Sequence, residues 1–332
     1  LKKNLCALVF ALLAMCCARQ SPQTPAGTFE PLHEAFEKIV SADASIEVIA
    51  EGYTWSEGPL WIESQKMLLF SDVPANTVYR WRQETGTVDA YLAPAGYTGA
   101  GTYSAEPGAN GLLLDDGGNL ILCQHGNRQL ARMASGLAEP RPEFAELATH
   151  YNGRRFNSPN DVALSQGSFF FTDPPYGLPN GEADSSRELP FQGVFQLTPA
   201  GQLRLLIDSL SRPNGIAFFP DGKSFLVANS DPAKAIWCRY AWDGEQALGA
   251  GVFYDATPLT ATQRGLPDGL KIDRQGHVFA TGPGGIFVFD ASGLLLGKIR
   301  LSGAASNCAL SADEKTLFVT NHTRVLKITL RR

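Results

Sequence analysis

The sequence predicts an all-β fold, a six-bladed β-propeller whose ring is closed by an N-terminal strand. Three observations predict it. From Ile46 onward the chain is a series of short apolar alternations broken by Gly, Asp, Asn and Pro, with no long amphipathic helix pattern. One motif recurs six times at a spacing near that of propeller blades. The last copy lacks a fourth strand, while an unassigned strand stands before the first.

Residues 1–17 read as an export signal: Lys2 and Lys3 precede an apolar run, Leu5 to Met15, too short to cross a bilayer. The run ends in Leu13-Ala14-Met15-Cys16-Cys17, similar to a bacterial lipoprotein box but with the larger Met15 before the cysteines. Two fates are therefore open, cleavage to a soluble periplasmic form or lipid anchoring at Cys16 or Cys17 to an envelope membrane. Residues 18–45 read as a linker, polar and Pro-rich over Arg19 to Gly27, with a weak helical pattern over Pro31 to Ser41. Residues 46–332 are the propeller.

The six copies are SEGPLWIESQKMLLFSD from Ser56, ANGLLLDDGGNLILCQH from Ala109, PNDVALSQGSFFFTD from Pro159, PNGIAFFPDGKSFLVAN from Pro213, PDGLKIDRQGHVFATG from Pro267 and SNCALSADEKTLFVTN from Ser306. Each opens on a polar residue: Glu57, Asn110, Asn160, Asn214, Asp268 and Asn307, spaced by 53, 50, 54, 54 and 39. The segments DDGG, PDGK and DRQG are hairpin turns between first and second strands. The final copy ends with a strand from Arg324 to Leu330, so Ile46 to Ala50 is predicted to complete that blade and remove an open edge.

Composition narrows the chemistry. The chain has 332 residues, 44% of them apolar, a mean hydropathy of -0.09 and a net charge of -5. There is no basic stripe for a polyphosphate, so no nucleic-acid partner is expected, and no transmembrane span. Beyond the leader only Cys123, Cys238 and Cys308 remain, without a C-x-x-C pair; buried, apolar roles are expected, with a single disulfide such as Cys123–Cys238 as the alternative. No G-x-S-x-G elbow, H-E-x-x-H helix, P-loop or dinucleotide fingerprint occurs.

The lead residues carry the functional signal. Because the first strand of each propeller blade lines the central channel, six polar side chains converge at one end of it. Asn-Gly and Asp-Gly are also common turn dipeptides, but Glu57 has no turn chemistry, so the property shared by the six is a side-chain oxygen. Two carboxylates with several amide oxygens, and neither sulfur nor His, form a hard donor set for one divalent cation. Ca²⁺ fits best, with Mg²⁺, Mn²⁺ and Zn²⁺ as alternatives. Spacing does not say which of the six touch it.

The segments WSEGPLW from Trp55, ANGL from Ala109, HGNR from His125, NSPNDV from Asn157, FTDPPYG from Phe171, RPNGIAF from Arg212 and LPDGL from Leu266 make the chain resemble the gluconolactonase, senescence marker protein and luciferin-regenerating enzyme family. HGNR and TDPPYG are similar to its bacterial gluconolactonases. The resemblance implies a lactonase acting on a small sugar lactone, with metal ligands at Glu57, Asn160, Asn214 and Asp268. It places Asn110 against substrate hydroxyls and leaves Asn307 structural. Gln124 departs from the acidic residue often found before HGNR.

For proton transfer the resemblance implies Asp268, whereas His125 competes because an imidazole titrates near neutrality. Arg128 and Tyr176 are candidate substrate ligands, and Asp173 a candidate pocket residue. For Arg128 and His125 a solvated or loop-fixing role is the alternative. Two rival functions stay open: another hydrolase on the same metal site, similar to a phosphotriesterase, and a Ca²⁺-binding propeller without activity.

Overall fold

A computed structural model describes residues 26–41 and 43–330. The expected signal and the cysteines of the lipoprotein-like box lie outside the described residues. Six antiparallel sheets stand around a common axis, each beginning with its innermost strand. Blade one runs Ser56–Ile62, Met67–Asp72, Thr77–Arg82 and Val88–Leu92. Blade two runs Ala109–Leu114, Leu120–Gln124, Gln129–Met133 and Phe144–Ala148. Blade three comprises Val162–Ser165, Ser168–Asp173, Gly193–Leu197 and Leu203–Ile207. Blade four comprises Pro213–Phe218, Ser224–Asp231, Lys234–Trp242 and Ala247–Asp255.

Blade five is built from Leu270–Ile272, Val278–Gly282, Gly285–Phe289 and Leu295–Leu301, and blade six from Asn307–Leu310, Thr316–Asn321 and Arg324–Thr329. The fourth strand of blade six is Ile46–Glu51, antiparallel to Arg324–Thr329 with Ile46 opposite Ile328. The ring closes as the sequence predicts, by joining the two ends of the chain in one sheet.

Apolar packing follows the same symmetry. Six buried clusters occupy the six interfaces between neighbouring blades: Leu69 and Val78 meet Leu112 and Leu122, for example, and Phe318 and Val325 of blade six meet Leu68 and Phe70 of blade one. Strands buried on both faces explain runs such as FFFTD and LILCQ, in which alternation gives way to continuous apolar sequence. Cys123, Cys238 and Cys308 fall in three different interfaces and are free and buried, so the disulfide alternative fails for them.

One boundary differs from expectation. The linker assigned to 18–45 contains Gly27–Pro31, which adds a fifth strand outside Leu295–Leu301 of blade five, and a single 3-10 turn, Glu34–Lys38, in place of the weak helix. Phe36 is driven into the interface of blades five and six, where Gly297 makes room: a Cβ there would stand 2.4 Å from the Phe36 ring. Five residues without an apolar alternation carried no strand signal; burial of Phe36, Ile39 and Val40 holds the segment down.

Candidate functional site

The polar lead residues are not turns. Glu57, Asn110 and Asn214 lie within innermost strands, where the pairing register slips, and Asn160 and Asp268 immediately precede theirs. The glycine that follows has a packing cause. A Cβ on Gly58 would stand 2.0 Å from the Asn110 carbonyl oxygen, one on Gly111 2.7 Å from that of Asn160, and one on Gly215 2.3 Å from that of Asp268. Blades one, two and four thus rest on the lead residue of the next, and the amide of Gly111 donates to the Asn160 carbonyl at 2.7 Å. Blade three carries Asp161 instead of glycine; its carboxylate reaches blade four, accepting from the Ile216 amide at 3.3 Å.

This contact network turns the lead side chains into one cavity of about 330 Å³ at the channel mouth, within the range of small-molecule sites. Glu57, Asn110, Asn160, Asn214 and Asp268 all line it. Asn307 does not: its amide oxygen accepts from the Cys308 amide at 2.8 Å, in keeping with a structural role. A more open cleft of about 630 Å³ beside Tyr97 and Arg155 contains none of the lead residues.

Glu57 and Asp268 are buried carboxyls facing the same cavity. Burial, followed by the Asp161 charge, pushes Glu57 up to about 8 against the opposing hydrogen bond from Trp55 Nε1 at 3.2 Å. Burial and then the Glu57 carboxylate raise Asp268 well above the ordinary range. Among the described residues no Lys or Arg forms an ion pair with either. Asn214 Nδ2 donates to Ser230 Oγ at 3.1 Å and its side chain also hydrogen-bonds the Asp268 carboxyl, while Asn160 Nδ2 stands beside His125 Nε2 at 3.5 Å. Both side chains line the cavity. Two carboxyls without a cationic partner, beside two side chains that carry amide oxygens, fit a hard divalent cation. No trio of His, Cys, Asp and Glu grouped for metal binding occurs among the described residues, so the donor set depends on the amides.

Tyr176 also lines the cavity, its phenol raised by burial and by the Asp268 charge, so that it is a hydrogen-bond donor at neutral pH. Three other sequence candidates lie outside. His125 is wholly buried behind Asn160, pressed by Gly177, and burial lowers its imidazole to about 4. Arg128, expected as a substrate ligand, is instead a buried staple: Nε donates to the Phe156 carbonyl at 2.7 Å and Nη1 to that of Ser186 at 3.0 Å. Asp173 accepts from the Asn157 amide at 2.8 Å and fixes the TDPPYG loop, whose Pro174 carbonyl takes the Ser158 hydroxyl at 2.6 Å. Gln124 is tied to the Ala95 carbonyl at 2.7 Å and to Gln129, so its departure from the family pattern does not face the cavity.

Sequence reasoning missed Trp55, Glu106 and Ser230, which share the cavity wall. Trp55 stands inside a quoted motif, but nothing in a two-residue strand period assigns its indole to Glu57. Glu106 sits four residues before Asn110 in an irregular loop, where no repeat marks it.

A six-bladed propeller with one oxygen-rich cavity at the channel mouth defines the class of protein. Residues 55–323 match the SMP-30/Gluconolactonase/LRE-like region, and the chain belongs to that family. A gluconolactonase of Zymomonas mobilis is 37% identical over 308 residues, 88% of this chain and 83% of that protein. A solved gluconolactonase of Xanthomonas campestris superposes with a TM-score of 0.79 at 32% identity, covering 94% of this chain and 98% of its own. A calcium-binding regucalcin of Agrobacterium tumefaciens, 17% identical, shares the fold with a TM-score of 0.65 over 85% of this chain and 93% of its own. The chain is a lactonase, a hydrolase of small-molecule lactones, and the non-enzymatic alternative falls. No helix among the described residues is long and apolar enough to cross a membrane.

Proposed function

We propose that the chain hydrolyses a monosaccharide-sized sugar lactone at a divalent-cation site formed by Glu57, Asn160, Asn214 and Asp268, with Ca²⁺ the preferred ion and Mg²⁺, Mn²⁺ or Zn²⁺ as alternatives. The observation that carries this is the pair of buried carboxyls that share one cavity with Asn160 and Asn214 and have no Lys or Arg partner among the described residues. When bound, such an ion supplies electrophilic polarisation of the lactone carbonyl and stabilises the negative charge that builds on its oxygen.

The chain's own groups bind and orient. Asn110 and Tyr176 present an amide and a phenol to a substrate rich in hydroxyls, which favours a sugar lactone over an apolar phosphotriester. Leu266, Ala304 and Ala305 form an apolar side of the cavity and limit the water around the ester carbon. Trp55 fixes Glu57 by its indole N–H, and Ser230 fixes Asn214.

The test is turnover of D-glucono-δ-lactone before and after chelation. Activity lost on chelation and restored by Ca²⁺, with Asn160→Ala and Asp268→Ala inactive in both states, supports the proposal; undiminished turnover after complete metal removal overturns it. The leader pattern supports export to the periplasm or an envelope membrane, which cell fractionation checks; a wholly cytoplasmic chain contradicts it.

A further inference from the structure

Four titratable side chains line the cavity: Glu57, Glu106, Tyr176 and Asp268. On the reading above, two hold the cation and the phenol stays protonated. That leaves Glu106. Its side chain is 35% exposed, into the cavity, whereas the side chain of His125 behind it has no exposure, with Nδ1 3.9 Å from Glu106 Oε2. The imidazole therefore has no route to substrate except through its neighbours.

The loop bearing Glu106 is held by its backbone. Asn76 Oδ1 accepts from the amides of Ala95, Gly96 and Tyr97 at 3.2, 2.7 and 3.1 Å. At the other end, the Pro107 carbonyl accepts from Gly126 at 3.2 Å and the Gly108 carbonyl from His125 at 3.1 Å, while the Gly108 amide donates to Val73 at 2.9 Å. The bonds at Pro107 and Gly108 fix the backbone next to Glu106, so its side chain starts from a held position beside the cavity.

We propose that Glu106, which neither sequence nor resemblance singled out, is the proton-transfer residue of lactone hydrolysis; this rests on the lactonase site described above. Glu106 as carboxylate takes a proton from water as the water oxygen bonds to the lactone carbonyl carbon. The carbon–ring-oxygen bond then breaks, and the ring oxygen leaves with the proton returned from the Glu106 carboxylic acid. The sum is lactone plus water giving a hydroxy acid, whose carboxyl releases its proton to solvent. Burial raises Glu106 to about 7. The groups that bear on its ionisation are His125 in blade two and, across the cavity, Glu57 of blade one and Asp268 of blade five.

The experiment compares wild type, Glu106→Gln, Glu106→Asp and Glu106→Ala in kcat and KM for D-glucono-δ-lactone across pH, with background hydrolysis subtracted and the Ca²⁺-induced rise in Tm recorded for each. Glu106→Gln is expected to lose about 10²- to 10³-fold in kcat with KM little changed, and to lose the rising limb of the pH profile. Glu106→Asp keeps the limb at reduced kcat, and sodium formate restores part of the turnover of Glu106→Ala, an effect that a structural role does not produce. A kcat in Glu106→Gln within about threefold of wild type, a defect confined to KM, or a pH limb that survives in that variant overturns the proposal. Should Glu106→Gln not fold, an unchanged kcat in Glu106→Asp together with no formate rescue of Glu106→Ala overturns it equally. Absence of wild-type turnover is a separate failure, that of the lactonase site itself.

Discussion

On the proposed cation site, removing the ion should make the folded protein unusually sensitive to alkali, because two carboxyls are buried together there. Glu57 is carried from its ordinary 4.5 to about 8, chiefly by burial, and Asp268 moves in the same direction. A group whose folded value is raised contributes stability below its unfolded value and loses it as pH climbs through the folded one. For Glu57 alone the loss amounts to about 3 kcal/mol by pH 7, and the share of the whole loss that falls between pH 6.5 and 8.5 is about 2 kcal/mol. Burial lowers His125 to about 4, so it acts in the opposite sense, but only below its unfolded value of 6.5. The window above pH 6.5 therefore isolates the carboxyls, with Glu106 and Asp173, both raised by burial, adding to the fall in the same sense. There, Tm of chelated protein should fall by on the order of 5 °C between pH 6.5 and 8.5. Saturating Ca²⁺ should reduce the fall, so the gap between the two conditions widens with pH. Glu57→Gln should flatten the chelated curve and shrink the Ca²⁺ response. Differential scanning calorimetry at stepped pH measures all of these. A chelated wild type whose Tm is level across the window refutes the reasoning.

Three further outcomes follow from packing. Gly215→Ala forces a Cβ to 2.3 Å from the Asp268 carbonyl oxygen and should cost about 1–3 kcal/mol by urea unfolding, with weaker Ca²⁺ binding than a surface Gly→Ala control; a neutral result denies that close approach sets the lead-glycine pairs. Arg128→Ala should lower stability by about 2 kcal/mol or more by freeing the Phe156 and Ser186 carbonyls, while KM of the folded fraction stays at the wild-type value; a large rise in KM restores Arg128 to the substrate site. Native protein should leave Cys123, Cys238 and Cys308 unreactive to a thiol reagent until unfolded, since all three are buried; fast labelling at any of them contradicts the blade packing.

The architecture was legible because it is repetitive. Six copies of one pattern announce six blades, and the strand deficit after Arg324 with the surplus at Ile46 announces the closure seen between Ile46–Glu51 and Arg324–Thr329. The strand Gly27–Pro31 was not legible, since its place is set by Phe36 finding the gap at Gly297, a tertiary fact with no periodic trace. At the site, residues delivered by the repeat itself were visible: Glu57, Asn110, Asn160, Asn214 and Asp268 reach one cavity because the blades are equivalent. The directions of Arg128 and His125 were not legible because HGNR names residue types alone; Arg128 adopts a left-handed backbone with φ of 58° and turns toward blade three. Glu106 was invisible for the converse reason, since a loop brings it to the cavity outside any repeat.

The convergence of oxygens at the channel mouth is tested most directly by an anomalous difference map from crystals of catalytically active protein soaked in Mn²⁺. One peak within bonding distance of Glu57, Asn160, Asn214 and Asp268, absent from Asp268→Asn crystals, is the expected result. A map without a peak there, from crystals whose protein turns over lactone after chelation, contradicts the cation site.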